Sequence, residues 1–142
     1  MAETLEQLFD RVMRDMISTH GMPEKIVHGA NPRGLDAMAG AFAQKFGIEE
    51  VRVPADWNDL SQPDADIKTI RGTDKRYDAK AGPRRNTKML ADNDVYMCIS
   101  FPGEWGTLDM TIKALNAKVN VFLITASGLI TTVIQRAGQS GS

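Results

Sequence analysis

The sequence predicts an α/β fold with a mostly parallel sheet, and three observations lead there. Short apolar runs at Lys25–His28, Glu50–Val53, Val95–Ser100 and Val119–Thr125 alternate with segments of helical spacing. Strands joined through helices pair in parallel. Val95–Ile99 and Val121–Ile124 are nearly continuous apolar runs, the pattern of strands covered on both faces.

Taken in order, Leu5, Leu8, Phe9, Val12, Met13, Met16 and Ile17 recur at helical spacing, so a helix is expected over Glu3–His20, ended by Gly21-Met22-Pro23. After the strand at Lys25–His28, Leu35, Met38, Ala39, Phe42 and Phe46 define a second helix stopped by Gly47. The stretch 58–80 is polar and without period, which reads as a functional or flexible loop. Ala81-Gly-Pro-Arg-Arg-Asn86 is a basic turn opening a third helix, and Leu108, Ile112 and Leu115 mark a fourth. Leu129–Gln135 is β-branched and apolar, a strand set off by Ser127-Gly128. Residues 1–137 are expected to form one domain, and 138–142 a flexible tail.

Composition narrows the function classes. The chain has 142 residues, 42% hydrophobic and 25% charged, with a net charge of −1. That balance argues against a protein that coats duplex nucleic acid. One cysteine, Cys98, permits no internal disulfide and suits a reducing compartment, so a cytoplasmic protein with an inert, buried thiol is expected. No signal peptide or bilayer span is expected, because the longest apolar run, Val119–Ile134, is broken by polar residues. No His/Cys cluster has metal-ligand spacing, so neither metal nor cofactor is expected. Eight basic residues lie between Lys68 and Lys88, opposed only by Asp74 and Asp78: a local anion-attracting patch or a solvated loop.

The chemistry concentrates in four segments. Phe101-Pro-Gly-Glu-Trp-Gly-Thr-Leu-Asp-Met110 follows an apolar strand and precedes a helix. There Gly103 and Gly106 admit close backbone approach, and Thr107 is expected at a helix N-cap, where first-turn N–H groups attract phosphate. Ile26-Val-His-Gly-Ala-Asn-Pro-Arg-Gly-Leu-Asp36 has the same strand–turn–helix order. Val51-Arg-Val-Pro-Ala-Asp-Trp57 and Ala81–Asn86 complete the set.

In this order the four segments resemble the YspA/YpsA-related branch of the SLOG superfamily, relatives of the LOG (lysine-decarboxylase-like) proteins. The resemblance runs from about Ile26 to Ile124. It implies a Rossmann-like three-layer sandwich, a nucleotide-derived ligand and a homodimer. Against that family the chain lacks the usual first strand and carries an inserted basic loop at 58–80. Leu129–Gln135 could complete the sheet by permutation, lie at the edge as a hairpin, or leave the slot to a partner's strand.

Ligands of open parallel sheets bind beyond the strands' carboxyl ends. That rule nominates Gly29, Arg33, Gly34 and Asp36; Asp56 and Trp57; Gly82, Arg84, Arg85 and Asn86; and Pro102, Gly103, Glu104, Gly106, Thr107 and Asp109. The arginines suit phosphate oxygens, the aspartates ribose hydroxyls or a base edge, and Trp57 or Trp105 a purine face. Asp36 and Asp109 also lie in first helical turns, where the dipole stabilises an acid whatever the function. For His28 a satisfied structural role is the stronger reading. The LOG enzymes, nucleoside 5′-monophosphate N-glycosidases, place a glutamate three residues after the threonine; here that residue is Met110. The remaining acid/base candidates are Asp109, Glu104 and Asp36. A further reading is a single-stranded nucleic-acid module like the DNA-processing protein A family, carried by the Lys68–Lys88 patch with Trp57 and Tyr77.

Overall fold

The computed structural model describes residues 3–102, 105–125 and 127–133. The chain divides after Pro54 into two compact units.

The N-terminal unit opens with α1, Leu5–His20. Its start is fixed by a reciprocal cap: Thr4 Oγ1 accepts the Gln7 N–H at 3.1 Å, and Gln7 Oε1 accepts the Thr4 N–H at 2.9 Å. Gly21 ends the helix at φ 86°, its N–H bonded to the Ile17 carbonyl. The apolar stripe buries Leu8, Phe9, Val12, Met13 and Met16, while Leu5, at the helix's first residue, stays exposed. Strands β1, Lys25–His28, and β2, Glu49–Arg52, pair in parallel, with Ile26 opposite Glu50 and His28 opposite Arg52. Between them runs α2, Gly34–Phe46, closed by Gly47 in the left-handed conformation. Phe42 joins the helices, its ring edge-to-face with Phe9 at 5.9 Å and 4.5 Å from Phe46.

The C-terminal unit begins with a hairpin where a loop was expected. Strands β3, Ile67–Thr69, and β4, Arg76–Asp78, pair antiparallel. Ile70 and Lys75 close the connection (N–H to carbonyl, 2.8 Å), and Thr73 bonds back to the Ile70 carbonyl. Three-residue strands, exposed throughout β3 and buried in β4 only at the polar Asp78, carry no apolar period-2 signal, which is why the sequence reads as a loop. Then follow α3, Ala81–Ala91; β5, Met97–Ser100; α4, Trp105–Asn116; β6, Asn120–Ile124; and β7, Ile130–Val133. β5 and β6 are parallel, and α4 packs on both as well as on α3. Val121, Phe122, Ile124, Ala114 and Met89 are buried.

Alternating helices and parallel pairs make this a mixed α/β protein. The described strands form three small hydrogen-bonded groups, β1–β2, β3–β4 and β5–β6–β7. Of the three routes open to Leu129–Gln135, the hairpin is the one formed, since β7 runs antiparallel to β6 and not beside β5. The connection explains why. Ile124 and Ile130 are register partners, Thr125 and Leu129 bond across the turn, and Gly128 takes φ 86°. A parallel return needs a crossover of about a dozen residues. Residues 134–142, including the expected tail, lie outside the described residues.

Candidate functional site

In the N-terminal unit the chemistry gathers around His28, the last residue of β1. The side chain is 5% exposed. Its Nδ1 accepts the N–H of Ala30 at 3.0 Å, so the ring proton sits on Nε2, which donates to Glu50 Oε2 at 2.6 Å. Both ring nitrogens are therefore spent, and the structural reading of His28 holds. Ala30 takes φ 60°, uncommon for a residue with a side chain; this turn aims its N–H at the imidazole.

Glu50 is held on its other oxygen by Gln44 Nε2 at 3.3 Å, and Arg52 Nη1 stands 3.9 Å from Oε2. The His28 hydrogen bond, then that of Gln44, keeps the Glu50 carboxyl below the usual carboxylate range. The pair depends on Gly40 in α2. A Cβ there would lie 2.5 Å from Glu50 Oε2 and 3.4 Å from His28 Nε2, so only glycine lets the helix pass this closely.

A cleft of about 280 Å³ opens at this point. Its wall includes His28, Asn31, Asp36, Gln44, Glu50 and Arg52. It lies beside the carboxyl-terminal residues of both parallel strands, where the crevice rule expects a ligand. Of the predicted residues that are described, only Asp36 lines it. Asp36 Oδ2 accepts the Asn31 N–H at 3.1 Å, and Asn31 Oδ1 accepts the Arg33 N–H at 3.1 Å, so both side chains shape the turn. Arg33 is exposed, with no side-chain hydrogen bond or ion pair among the described residues; Gly29 is buried, and Gly34 turns the chain into α2 at φ 71°. Glu50, Arg52 and Gln44 were missed, because charged residues alternating along Glu50-Val51-Arg52 look like the solvent side of a strand.

In the C-terminal unit the predicted residues separate into structural and accessible groups. Asp78 is fully buried. It accepts the N–H of Asp66 at 3.0 Å, the N–H of Lys80 at 2.9 Å and Nη1 of Arg84 at 2.9 Å. Burial pushes its carboxyl up, but the Lys80 N–H, Arg84 and the Asp66 N–H together bring it below the usual range. Arg84 also binds Asp64 through Nη2 at 2.6 Å. Its guanidinium, expected on a phosphate, is committed to tying the hairpin to α3.

Gly82 admits the Trp57 ring: a Cβ there would stand 2.8 Å from its Cη2. Trp57 is 43% exposed and meets Tyr77 edge-on at 6.3 Å; Asp56 is exposed. Across α3 and α4, Asn86 Nδ2 donates to Asp109 Oδ2 at 3.0 Å and Lys113 Nζ donates to the same oxygen at 2.9 Å. Arg85 Nε donates to Asn86 Oδ1 at 2.9 Å. Asp109 is thus held between two donors in a helix–helix contact.

Thr107 is a correction. It is the third residue of α4 rather than its cap, and its carbonyl accepts Thr111 Oγ1 at 2.7 Å. The helix begins three residues before Leu108, where a cap at Thr107 would have started it, taking in Trp105, Gly106 and Thr107. Pro102 is exposed; Gly103 and Glu104 lie outside the described residues. Cys98 is half-buried, and burial pushes its thiol up, against a thiolate role.

The described residues contain no group of three or more metal-ligating side chains and no helix long and apolar enough to cross a membrane. No protein-family model, curated protein or solved structure matches the chain.

Proposed function

We propose that this chain is a small SLOG-like domain of Rossmann-like, three-layer architecture that binds a nucleotide or nucleotide-derived ligand and associates as a homodimer. The cleft beside the carboxyl ends of β1 and β2 carries the reading. Its volume of about 280 Å³ sits just below the usual ~300–1,000 Å³ of small-molecule sites, a size for one nucleotide rather than two. Arg52, 60% exposed on its side chain, supplies a cation for phosphate at the rim, and Asn31 and Gln44 supply amides for a base edge. The strand–turn–helix segments of the SLOG resemblance support the same ligand class.

The experiment is a calorimetric and thermal-shift series with nucleoside 5′-monophosphates on the wild type and Arg52→Ala. Saturable stabilisation that weakens at least severalfold in the variant supports the reading. Free base detected by mass spectrometry in the same tubes would make the protein an N-glycosidase rather than a binder. The positions of Asp36 and Asp109, each already bonded within the protein, favour binding.

One observation favours a second reading, single-stranded nucleic-acid binding. The β3–β4 hairpin exposes Lys68, Arg71, Lys75 and Arg76, with Tyr77 and the exposed Trp57 at its base. Cations beside aromatic faces suit a phosphate backbone with stacked bases. Oligonucleotide affinity that falls steeply with salt supports it; no binding at low salt removes it.

A further inference from the structure

We infer that His28 makes the turn after β1 a proton-operated switch: a second proton on the ring, at Nδ1, releases Ala30 and reshapes the cleft wall. Such a switch acts whatever ligand the cleft takes.

The neutral ring is used to capacity. Nδ1 accepts the Ala30 N–H at 3.0 Å, and Nε2 donates to Glu50 Oε2 at 2.6 Å. An imidazolium donates from both nitrogens. At Nε2 nothing has to change, since the same proton then joins opposite charges. At Nδ1 the new proton meets the Ala30 proton, and a backbone N–H has no lone pair to receive it. Attraction becomes repulsion, and one group must move. The ring is the more firmly held, bonded to Glu50 and closed over by α2 at Gly40. Ala30 is the freer partner. It sits at φ 60°, a conformation unfavourable to a residue with a Cβ, and the bond to Nδ1 helps to keep it there. Once released, it returns to the ordinary negative-φ side. The other bonds of the turn, Asp36 to the Asn31 N–H and Asn31 to the Arg33 N–H, involve no imidazole, so the change is centred on Ala30. Asn31 and Pro32, next along the chain, line the cleft and carry the movement into it.

The charges around the ring admit the second proton. Glu50 on β2 favours it; Arg52, the register partner of His28 on the same strand, stands 3.9 Å from Glu50 Oε2 and opposes it. α2 contributes Asp36 to the same wall, and its other residues there, Ala37, Gly40, Ala41 and Gln44, are uncharged. Two carboxylates against one guanidinium leave room for a cationic ring. Because His28 itself lines the cleft, the proton arrives from the water in it.

The test is an NMR titration of the isotope-labelled full chain without ligand, from about pH 8 to about pH 5, where imidazoles ordinarily titrate. His20, the other histidine, is exposed and is removed as His20→Gln, so that every imidazole signal belongs to His28. At the basic end the ring nitrogen shifts are expected to place the proton on Nε2. On acidification Nδ1 is expected to gain its proton while the Ala30 and Asn31 amides shift with the same midpoint. Hydrogen exchange at Ala30, corrected for its intrinsic pH dependence, is expected to lose on the order of 10-fold in protection, as one hydrogen bond would give. That response is expected to vanish when His28→Gln is added; if the double variant does not fold, the single variant decides. A ring that takes the second proton while Ala30 stays in place overturns the inference. So does a ring still singly protonated at the acidic end, or one whose proton begins on Nδ1. None of these outcomes bears on nucleotide binding, which its own titration tests.

Discussion

Each unit holds a carboxylate removed from bulk water, and the two are used in opposite ways. Asp78 is fully buried and its oxygens are taken by two backbone N–H groups and Arg84. Glu50 has one strong partner behind it, one weak partner beside it, and a cleft in front. An acid whose acceptor capacity is consumed by its own chain is architecture. One braced from behind and lining a cleft keeps acceptor capacity that its own chain does not consume. Burial alone does not separate the two; the accounting of lone pairs does.

The largest effect that would sharpen this contrast is on folding. Asp78→Ala strands two backbone N–H groups and the Arg84 guanidinium together, and is expected to lower the thermal midpoint more than any other change discussed here. Differential scanning calorimetry of Asp78→Ala beside Glu50→Gln tests it, and a larger loss in Glu50→Gln would reverse the assignment of roles.

Next comes a pair of glycines. Gly40→Ala gains about 1 kcal/mol of helix propensity but drives a Cβ into Glu50, for an expected net loss of about 1–2 kcal/mol in urea unfolding. Gly82→Ala meets only the outer edge of a half-exposed indole, which can swing away. Its expected cost is below about 1 kcal/mol, with a shift in tryptophan emission.

The pH dependence is a smaller effect. The folded Glu50 carboxyl lies below its unfolded value, so its contribution is fully present above the ordinary carboxylate range and is lost as pH falls through the depressed value. The difference in midpoint between the wild type and Glu50→Gln is therefore expected to shrink on acidification, in melts recorded from neutral pH downward. Smallest is the change in stability for Arg71→Ala/Lys75→Ala/Arg76→Ala, within about 0.5 kcal/mol by the same unfolding assay, since these side chains are exposed and make no ion pair among the described residues.

Much of the scaffold was legible because periodicity and caps are local. Lys25–His28 is the strand expected, α2 ends at Gly47 as expected, and α1 differs from its expected start only by the Thr4 cap. The hairpin at 67–78 was not legible, since its strands are held by the Ile70–Lys75 closure and by Asp78 beneath, neither of which leaves a pattern. The cleft was half legible. Asp36 was marked by its place in a turn, but the meeting of His28 with Glu50 depends on strand register and on a glycine one helix away. Arg84 shows what a local reading leaves out: an arginine in a basic turn looks like a ligand contact, and the two aspartates bonded to it lie 6 and 20 residues away in the sequence.

The imidazole proton between His28 and Glu50 is a spectroscopic consequence of this arrangement. Held over 2.6 Å against a carboxylate in a side chain almost closed to solvent, it is expected to exchange slowly with water and to resonate well downfield. One resonance outside the crowded amide region of a proton NMR spectrum would report on the cleft directly, and its movement during a titration would register an occupant before that occupant is identified.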